Sequence, residues 1–205
     1  IPFAQYMTVK EENGQNPWYE WPTNLRNYDE AVVNQFCEAH IERYDYHLVT
    51  QFWFNQQYKA LKEYANDNHI EIIGDIPIYV ARDSVEMWTQ PELFLTDEKN
   101  NPSLVAGVPP DFYSADGQYW GNPIYDWDYM EETDYAWWIL RMKESFKLYD
   151  VVRIDHFRGF ESYWAVPFGS PTAASGSWQK GPGNKIFDQF KKELGDIKVI
   201  AEDLG

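Results

Sequence analysis

The sequence is a 205-residue acidic chain, with 33 Asp and Glu against 17 Lys and Arg and a formal net charge of −16. Such a charge repels polyphosphates and anionic lipids, so the composition argues against nucleic acid and membranes as partners. The length is enough for one good-sized domain with a hydrophobic core.

Cysteine content and apolar segments bear on the compartment. Cys37 is the single cysteine, so an internal disulfide is impossible, which fits a reducing compartment. The sequence has no apolar run near the ~20 residues of a membrane span, and no signal-peptide pattern at its start. We therefore predict a cytoplasmic location. The chain starts at Ile1 and its last five residues read as a strand end, so we expect it to be cut at both ends.

The first third of the chain is predicted to be irregular and then helical. Three prolines and a polar run predict irregular structure over residues 1–30. Apolar residues at helical spacing predict helix from Asp29 to about Asn68, with a break near residues 46 and 47.

Strands alternate with helices in the rest of the chain. Buried strands are predicted over residues 70–80, 150–156 and 197–203. Helices are predicted over residues 131–149 and 186–194, and Gly/Pro-rich loops over residues 81–125 and 161–184. This alternation favours parallel βαβ units, and long loops after strands form the active-site face of a (β/α)8 barrel.

Each predicted strand carries acids at its end. Strand alternation places Arg153 and Asp155 on one face, where the arginine keeps the carboxylate ionised. If the strands are parallel neighbours, Glu202 lies beside Asp155, and two carboxylates about 5–5.5 Å apart suit a retaining glycosidase. The alternative is structural, because a strand-end Asp also serves as a helix N-cap or loop anchor.

Aromatic residues form 18% of the chain, with 10 Trp, 15 Tyr and 12 Phe. Several tryptophans stand beside Pro, Gly or Asn in predicted loops: Trp18, Trp21, Trp120, Trp164 and Trp178. Flat rings in loops suit the apolar faces of pyranoses. They equally suit rings that pin a loop to the protein body.

The motifs resemble those of the 4-α-glucanotransferases (amylomaltases, disproportionating enzymes; glycoside hydrolase family 77). The matching stretches cover most of the chain: Trp18 to Pro22, Gln51 to Gln57, Gly74-Asp-Ile-Pro-Ile-Tyr-Val-Ala with Asp83-Ser and Trp88, Val105-Ala-Gly-Val-Pro-Pro-Asp111, Gly117-Gln-Tyr-Trp-Gly-Asn-Pro123, Val152-Arg-Ile-Asp-His-Phe-Arg-Gly-Phe160, Gly181-Pro-Gly183 and Ile200-Ala-Glu-Asp-Leu-Gly205. The Pro-Pro-Asp and Gly-Gln-x-Trp-Gly-Asn-Pro motifs separate this family from ordinary α-amylases.

The resemblance implies a fold and a division of the chain. A full barrel takes about 250 residues, so the chain is expected to hold part of a (β/α)8 TIM barrel, roughly its third to fifth strands. Residues 1–69 are then a helical insertion with a barrel helix. Residues 70–205 are the central part of the catalytic barrel, with an inserted loop region at 81–130.

The resemblance also implies catalytic roles. Asp155 attacks the anomeric carbon, and Glu202 protonates the leaving sugar and then deprotonates the acceptor hydroxyl. Arg153 orients Asp155, while Asp75 and His156 hold hydroxyls of the sugar at the cleavage point. The alternative for Asp75 is a helix-cap or salt-bridge role.

The stretch over residues 105–123 resembles the loop with which the family overhangs its cleft. Asp111, Gln118 and Trp120 are then expected to contact glucan, although Trp120 equally suits a loop-packing role. The family usually has Tyr-Phe after Pro-Pro-Asp, and here the pair is Phe112-Tyr113. This overhang is the candidate lid that excludes water.

The expected activity is retaining transfer of α-1,4-glucan segments between malto-oligosaccharides, with glucose as an acceptor. No nucleotide cofactor is predicted, because no phosphate-binding glycine loop is present. No metal is predicted, because His156 stands alone, although loop Asp and Asn leave a Ca²⁺ site open. The rival functions are a retaining α-glucan hydrolase of the α-amylase clan and a non-catalytic glucan-binding fragment.

Two further expectations concern these 205 residues by themselves. The family needs a third acid on a later strand, outside this chain, so the chain alone is predicted to be inactive. A partial barrel also leaves open strand edges, so the chain is expected to self-associate.

Overall fold

The computed structural model describes residues 1–202, so the predicted strand-end Asp203 lies outside the described residues. The chain divides into two compact units. The first comprises Ile1–Leu61 and Asp83–Pro91, and the second comprises Lys62–Arg82 and Glu92–Gly205. The predicted division between residues 69 and 70 stays a prediction.

The first unit is helical, with one long α-helix and four shorter ones. Its helices are α1 (Pro2–Glu12), α2 (Thr23–Arg26), α3 (Glu30–Ala39), α4 (Ile41–Asp67, which continues into the second unit) and α5 (Val85–Thr89). The prediction of irregular structure over residues 1–30 is wrong for residues 2–12 and 23–26, which are α-helical. Pro2 begins α1, because the first turn of a helix has no intrahelical partner for the N–H that proline lacks.

The helical prediction after Asp29 is confirmed, with its break misplaced. Asp29 caps α3 by accepting the N–H groups of Ala31 and Val32 at 3.0 Å each. The break falls at His40, which separates α3 from α4 with φ −122° and ψ 39°. α4 continues unbroken through residues 46 and 47.

Buried tryptophans hold the loops of the first unit. Trp18 and Trp21 are 1% and 3% exposed. Trp21 packs edge-on against Trp88 with ring centroids 5.2 Å apart, and Trp88 donates its indole N–H to the Leu25 carbonyl at 2.8 Å. Trp18 and Trp21 therefore pin loops to the protein body.

The second unit contains the predicted parallel strands. They are β1 (Ile73–Pro77), β4 (Val151–Asp155) and β7 (Val199–Ala201), and they form one parallel sheet in the order β1-β4-β7. In the central strand β4, Val152 and Ile154 are fully buried. The predicted burial of the first strand is wrong: Ile73 is 60% exposed, because among the described strands β1 pairs only with β4.

A second, antiparallel sheet lies in parts of the chain that were predicted to be loops. Its strands are β2 (Leu104–Val108), β3 (Gln118–Pro123), β5 (Ser162–Pro167) and β6 (Ser177–Lys180), in the order β3-β2-β5-β6. The loop predictions over residues 81–125 and 161–184 are therefore wrong for these segments. The strand β2 needs glycine at position 107, because a Cβ there would lie 2.4 Å from the Gln118 carbonyl oxygen of the paired strand.

Helices connect the parallel strands. α6 (Trp127–Glu132) and α7 (Ala136–Leu148) precede β4, and α8 (Asn184–Leu194) precedes β7. The predicted helices are confirmed, with an interruption where Asp134 and Tyr135 have φ values of 53° and 55°. Among residues 1–202, no helix is both long and apolar enough to cross a membrane. The fold is mixed α/β, with one parallel and one antiparallel sheet.

Candidate active site

A shared arginine joins the acids of β1 and β4. The register places Asp75 opposite Arg153. One guanidinium nitrogen, Nη1, contacts both oxygens of Asp75 at 2.8 and 2.7 Å, and Nη2 contacts Asp155 Oδ1 at 3.0 Å. The hydrogen bonds from Asp75 and then Asp155 raise the pKa of Arg153 above its usual value despite opposing desolvation. The guanidinium therefore stays charged between two carboxylates.

Glu202 lies at the next strand end. β4 and β7 are parallel, with Ile154 opposite Ala201, so Asp155 and Glu202 follow at neighbouring strand ends. Glu202 Oε2 accepts the main-chain N–H of His156 at 2.8 Å. The predicted neighbourhood of the two acids is thus present.

His156 is a buried residue with unusual backbone. It is 8% exposed and has φ 55° and ψ 45°. Its imidazole meets the ring of Trp120 edge-on with centroids 4.9 Å apart, and that of Tyr79 at 6.3 Å. Burial lowers the pKa of His156 below its usual 6.5, against the opposing charges of Glu202 and Asp155. The imidazole is therefore neutral at pH 7, and its Nε2 has no hydrogen-bond partner among the described residues.

A small cavity opens beside Asp155. Its volume is about 190 Å³, and its lining comprises Pro77, Ile78, Tyr79, Trp120, Asn122, Asp155 and His156. Larger hollows lie elsewhere, including one of about 590 Å³ in the first unit, but its lining contains none of the strand-end acids. The chemistry of the lining therefore favours the smaller cavity.

The predicted glucan-contact residues divide into two groups. Trp120 donates its indole N–H to Gln118 Oε1 at 3.0 Å, and its ring borders the cavity. Asp111 instead caps its own turn by accepting the N–H groups of Tyr113 and Ser114 at 2.8 and 2.7 Å. Among the described residues, the hydrogen bonds of the Asp111 side chain stay within its own turn and do not connect it to Asp155 or Glu202. The neighbouring Phe112 is 96% exposed.

The predicted overhang is a β-hairpin rather than a loop throughout. Residues 104–108 and 118–123 are β2 and β3, and only residues 109–117 connect them. The strand β3 therefore places Gln118 and Trp120, whereas Asp111 belongs to the connecting turn.

The sequence interpretation missed the support behind the β1 strand end. Arg141 on α7 donates to the carbonyls of Pro77 and Ile78 at 2.7 and 3.0 Å. Tyr125 donates to the same Ile78 carbonyl at 2.8 Å. The available signal was a single arginine within an apolar stretch of the predicted helix.

The remaining loop tryptophans lie on the antiparallel sheet. Trp164 and Trp178 are opposite each other on β5 and β6, with ring centroids 5.5 Å apart. Trp164 donates its indole N–H to the Ala173 carbonyl at 2.8 Å. The guanidinium of Arg158 lies 4.5 Å from the ring centroid of Trp178. Trp178 remains 45% exposed.

Two carboxylates at adjacent ends of parallel strands are typical of enzymes that act on glycosidic bonds with retention. The chain belongs to the 4-alpha-glucanotransferase family, whose pattern matches residues 1–205. The resemblance seen in the motifs is thereby confirmed.

Several known 4-alpha-glucanotransferases are similar to nearly the whole of this chain. The chain is 55% identical over 204 residues to a 4-alpha-glucanotransferase of Streptococcus pneumoniae serotype 4, covering 99% of this chain and 40% of that protein. It is 46% identical to the 4-alpha-glucanotransferase of Thermus thermophilus over 203 residues, covering 99% and 41%. The structure of amylomaltase from Streptococcus agalactiae in complex with acarbose matches with a TM-score of 0.95 and 48% identity, covering 100% of this chain and 41% of that one. The chain thus spans about two fifths of these relatives.

Proposed function

We propose that the protein carrying this chain is a 4-α-glucanotransferase that moves α-1,4-glucan segments between malto-oligosaccharides, with glucose as an acceptor. The family membership supports the reaction. The observation that supports the proposal most is that two acids are held at neighbouring strand ends. Arg153 donates a hydrogen bond to Asp155, and the main-chain N–H of His156 donates one to Glu202. This pairing favours a retaining mechanism, for which a nucleophile and an acid/base must flank one glycosidic bond.

The first step forms a glycosyl-enzyme. Asp155 attacks the anomeric carbon as the bond from that carbon to the leaving oxygen breaks, and Glu202 gives its proton to that oxygen. Arg153 orients Asp155 through its hydrogen bond to Oδ1, and the guanidinium is itself fixed by two hydrogen bonds to Asp75.

The second step transfers the glycosyl group. Glu202, now ionised, takes the proton of an acceptor hydroxyl, whose oxygen attacks the anomeric carbon and releases Asp155. Two inversions give net retention. An acceptor sugar in place of water makes the enzyme a transferase rather than a hydrolase.

Substrate contacts come from the groups around the cavity. His156 is neutral at pH 7, so its unpartnered Nε2 suits a sugar hydroxyl. The half-exposed ring of Trp120 suits a pyranose face. Gln118, which accepts the Trp120 indole N–H, and Asp75 are proposed to hydrogen-bond sugar hydroxyls. Asp111 would contact glucan from its exposed turn at residues 109–117, which is the part of the predicted overhang that we propose as the lid.

The parallel sheet is proposed to be the middle of a (β/α)8 barrel, roughly its third to fifth strands. The support is the parallel order β1-β4-β7, with helices in both connections and acids at the strand ends. The third acid is proposed to lie outside this chain, so that these 205 residues alone are inactive. The cytoplasmic location stays a prediction from the single cysteine.

The test incubates the complete protein that carries this chain with maltotriose and separates the products by size. Transfer gives a ladder above and below the starting length, with free glucose. Only shorter sugars would favour the hydrolase. No reaction with retained binding would favour the glucan-binding fragment. The Asp155→Asn variant, which keeps the size of the side chain, is expected to lose both kinds of product.

A further inference from the structure

The ladder between β4 and β7 changes at the active site. Val152 donates its N–H to the Lys198 carbonyl at 3.0 Å, and Glu202 donates to the Ile154 carbonyl at 3.2 Å. In a regular parallel ladder alternate residues continue this pattern, so the N–H of His156 would donate next to the carbonyl of Glu202.

The observed partners differ from that pattern by one residue. Phe157, not His156, donates to the Glu202 carbonyl at 3.1 Å. The N–H of His156 turns to the side chain of Glu202 and donates to Oε2 at 2.8 Å. Three bonds thus fix Glu202 to the strand of Asp155: its N–H, its carbonyl and one carboxylate oxygen.

The cause is the left-handed backbone of His156, with φ 55° and ψ 45°. This conformation is unfavourable for a residue with a Cβ, and such strain persists only where the surroundings hold it. Here the His156 carbonyl accepts the Gly159 N–H at 2.9 Å. The imidazole is buried, with the ring of Trp120 against it.

We propose that His156 is a positioning residue for Glu202 through its main-chain N–H. The inference rests on the proposed function. An N–H group only donates, and the carbonyl oxygen of a carboxylic acid accepts better than its hydroxyl oxygen. Oε2 therefore accepts this bond both when Glu202 is protonated and when it is ionised, so the bond holds the carboxyl group in one orientation through both steps.

The test compares His156→Gly with His156→Val in the complete protein that carries this chain. Both variants lose the imidazole, so the lost side-chain contacts are matched. Glycine keeps the left-handed backbone without strain, whereas the branched Cβ of valine opposes it. His156→Ala is an intermediate case that remains informative if the valine variant does not fold.

Two glycosyl donor substrates distinguish a loss of proton transfer by Glu202 from general damage to the site. Maltotriose needs a proton on its leaving sugar, whereas α-maltosyl fluoride releases fluoride without one. With maltotriose we expect the kcat of His156→Val to lie at least about tenfold below that of His156→Gly, since the negative charge that develops on Glu202 as its proton leaves loses a hydrogen bond. KM is expected to agree between the two variants. Fluoride release in a single turnover should also agree to within about twofold, because it bypasses the acid.

Equal kcat values for glycine and valine with maltotriose would overturn the inference. So would an equal loss with both donors, since that would indicate general damage to the site. Asp155→Asn separates this failure from failure of the proposed function. If Asp155→Asn retains wild-type transfer, the proposed function fails. If it is inactive while His156→Gly and His156→Val are equal, only the positioning role fails.

Discussion

At the scale of single residues, the site depends on one guanidinium that serves two acids. Arg153 donates from one nitrogen to both oxygens of Asp75 and from another to Asp155. An ammonium group has no fork of this kind, so lysine cannot hold both carboxylates in the same geometry. Asp75 is therefore a salt-bridge partner of Arg153, and the proposed sugar contact adds to that role.

Arg153→Lys is expected to lower kcat for transfer on the order of 100-fold, because a displaced nucleophile loses its attack geometry. The melting temperature should stay close to that of the wild type, since the Arg153 side chain is 32% exposed. Steady-state kinetics and thermal unfolding measure the two effects. Arg43→Lys is the matched control, because Arg43 pairs with Glu11 in the first unit. An equal loss in both variants would contradict the account.

The burial of His156 predicts a pH effect on stability. Burial lowers its pKa in the folded state below 6.5, so the unfolded chain binds the proton more readily. The contribution is therefore present above about pH 6.5 and is lost as pH falls below it. His156→Asn tolerates the left-handed backbone and does not titrate, so it should flatten this part of the pH dependence. Urea unfolding at pH 5 and pH 7 measures it, and equal differences for wild type and variant would contradict it.

At the scale of elements, sequence periodicity predicted the parallel strands and missed the antiparallel sheet. The run around Ile154 is apolar apart from its functional charges, so its strand is plain in the sequence. β2 and β3 contain Gly107 and Gly121, which read as loop signals when taken alone. Gly107 is needed because the paired strand approaches it closely, whereas Gly121 has a left-handed backbone with φ 78°. Neither reason is visible in the local sequence. The same limit explains why Gln118 and Trp120 were expected on a loop.

Pro2 and Asp111 show the same limit at single positions. Proline reads as a breaker but is favourable in a first helical turn, and only the capping context separates the two. The Asp111 motif marks the family, whereas its side chain caps its own turn. The strand-end acids were predictable because alternation and parallel order together place Asp155 and Glu202 at neighbouring strand ends.

Packing between β1 and the end of α7 gives an element-scale prediction. A Cβ on Gly74 would lie 2.0 Å from Cδ2 of Tyr149. Gly74→Ala is therefore expected to destabilise the protein by about 1–3 kcal/mol through overpacking. In a Tyr149→Ala background the same substitution should cost less than about 1 kcal/mol, since the ring is gone. Urea unfolding of the four proteins measures the coupling, and additive costs would contradict the contact.

At the scale of the whole molecule, the sheet edges need a partner. Among the described strands β1 and β7 each pair on one side only, and the chain covers about two fifths of its relatives. Unpaired strand edges template association with further strands. In the complete protein we expect further parts of the fold to cover them.

The 205-residue chain by itself is therefore expected to self-associate as its concentration rises, unlike the complete protein. Sedimentation equilibrium measures the mass of each. Ile73→Lys places a charge on the exposed edge strand and should weaken the association, whereas Ile41→Lys on α4 is a control at another exposed isoleucine. A monomeric chain at all concentrations would contradict the open edges.

The central claim is that Asp155 forms the covalent bond to the sugar. Glu202→Gln in the complete protein, given α-maltosyl fluoride, should form the glycosyl-enzyme and turn it over slowly, because fluoride needs no acid and deglycosylation lacks its base. Mass spectrometry of the digested protein is predicted to find the maltosyl group on the peptide that contains Asp155, and to find none in the Asp155→Asn double variant. A maltosyl group on another residue, or fluoride release with no adduct at any time, would contradict the account.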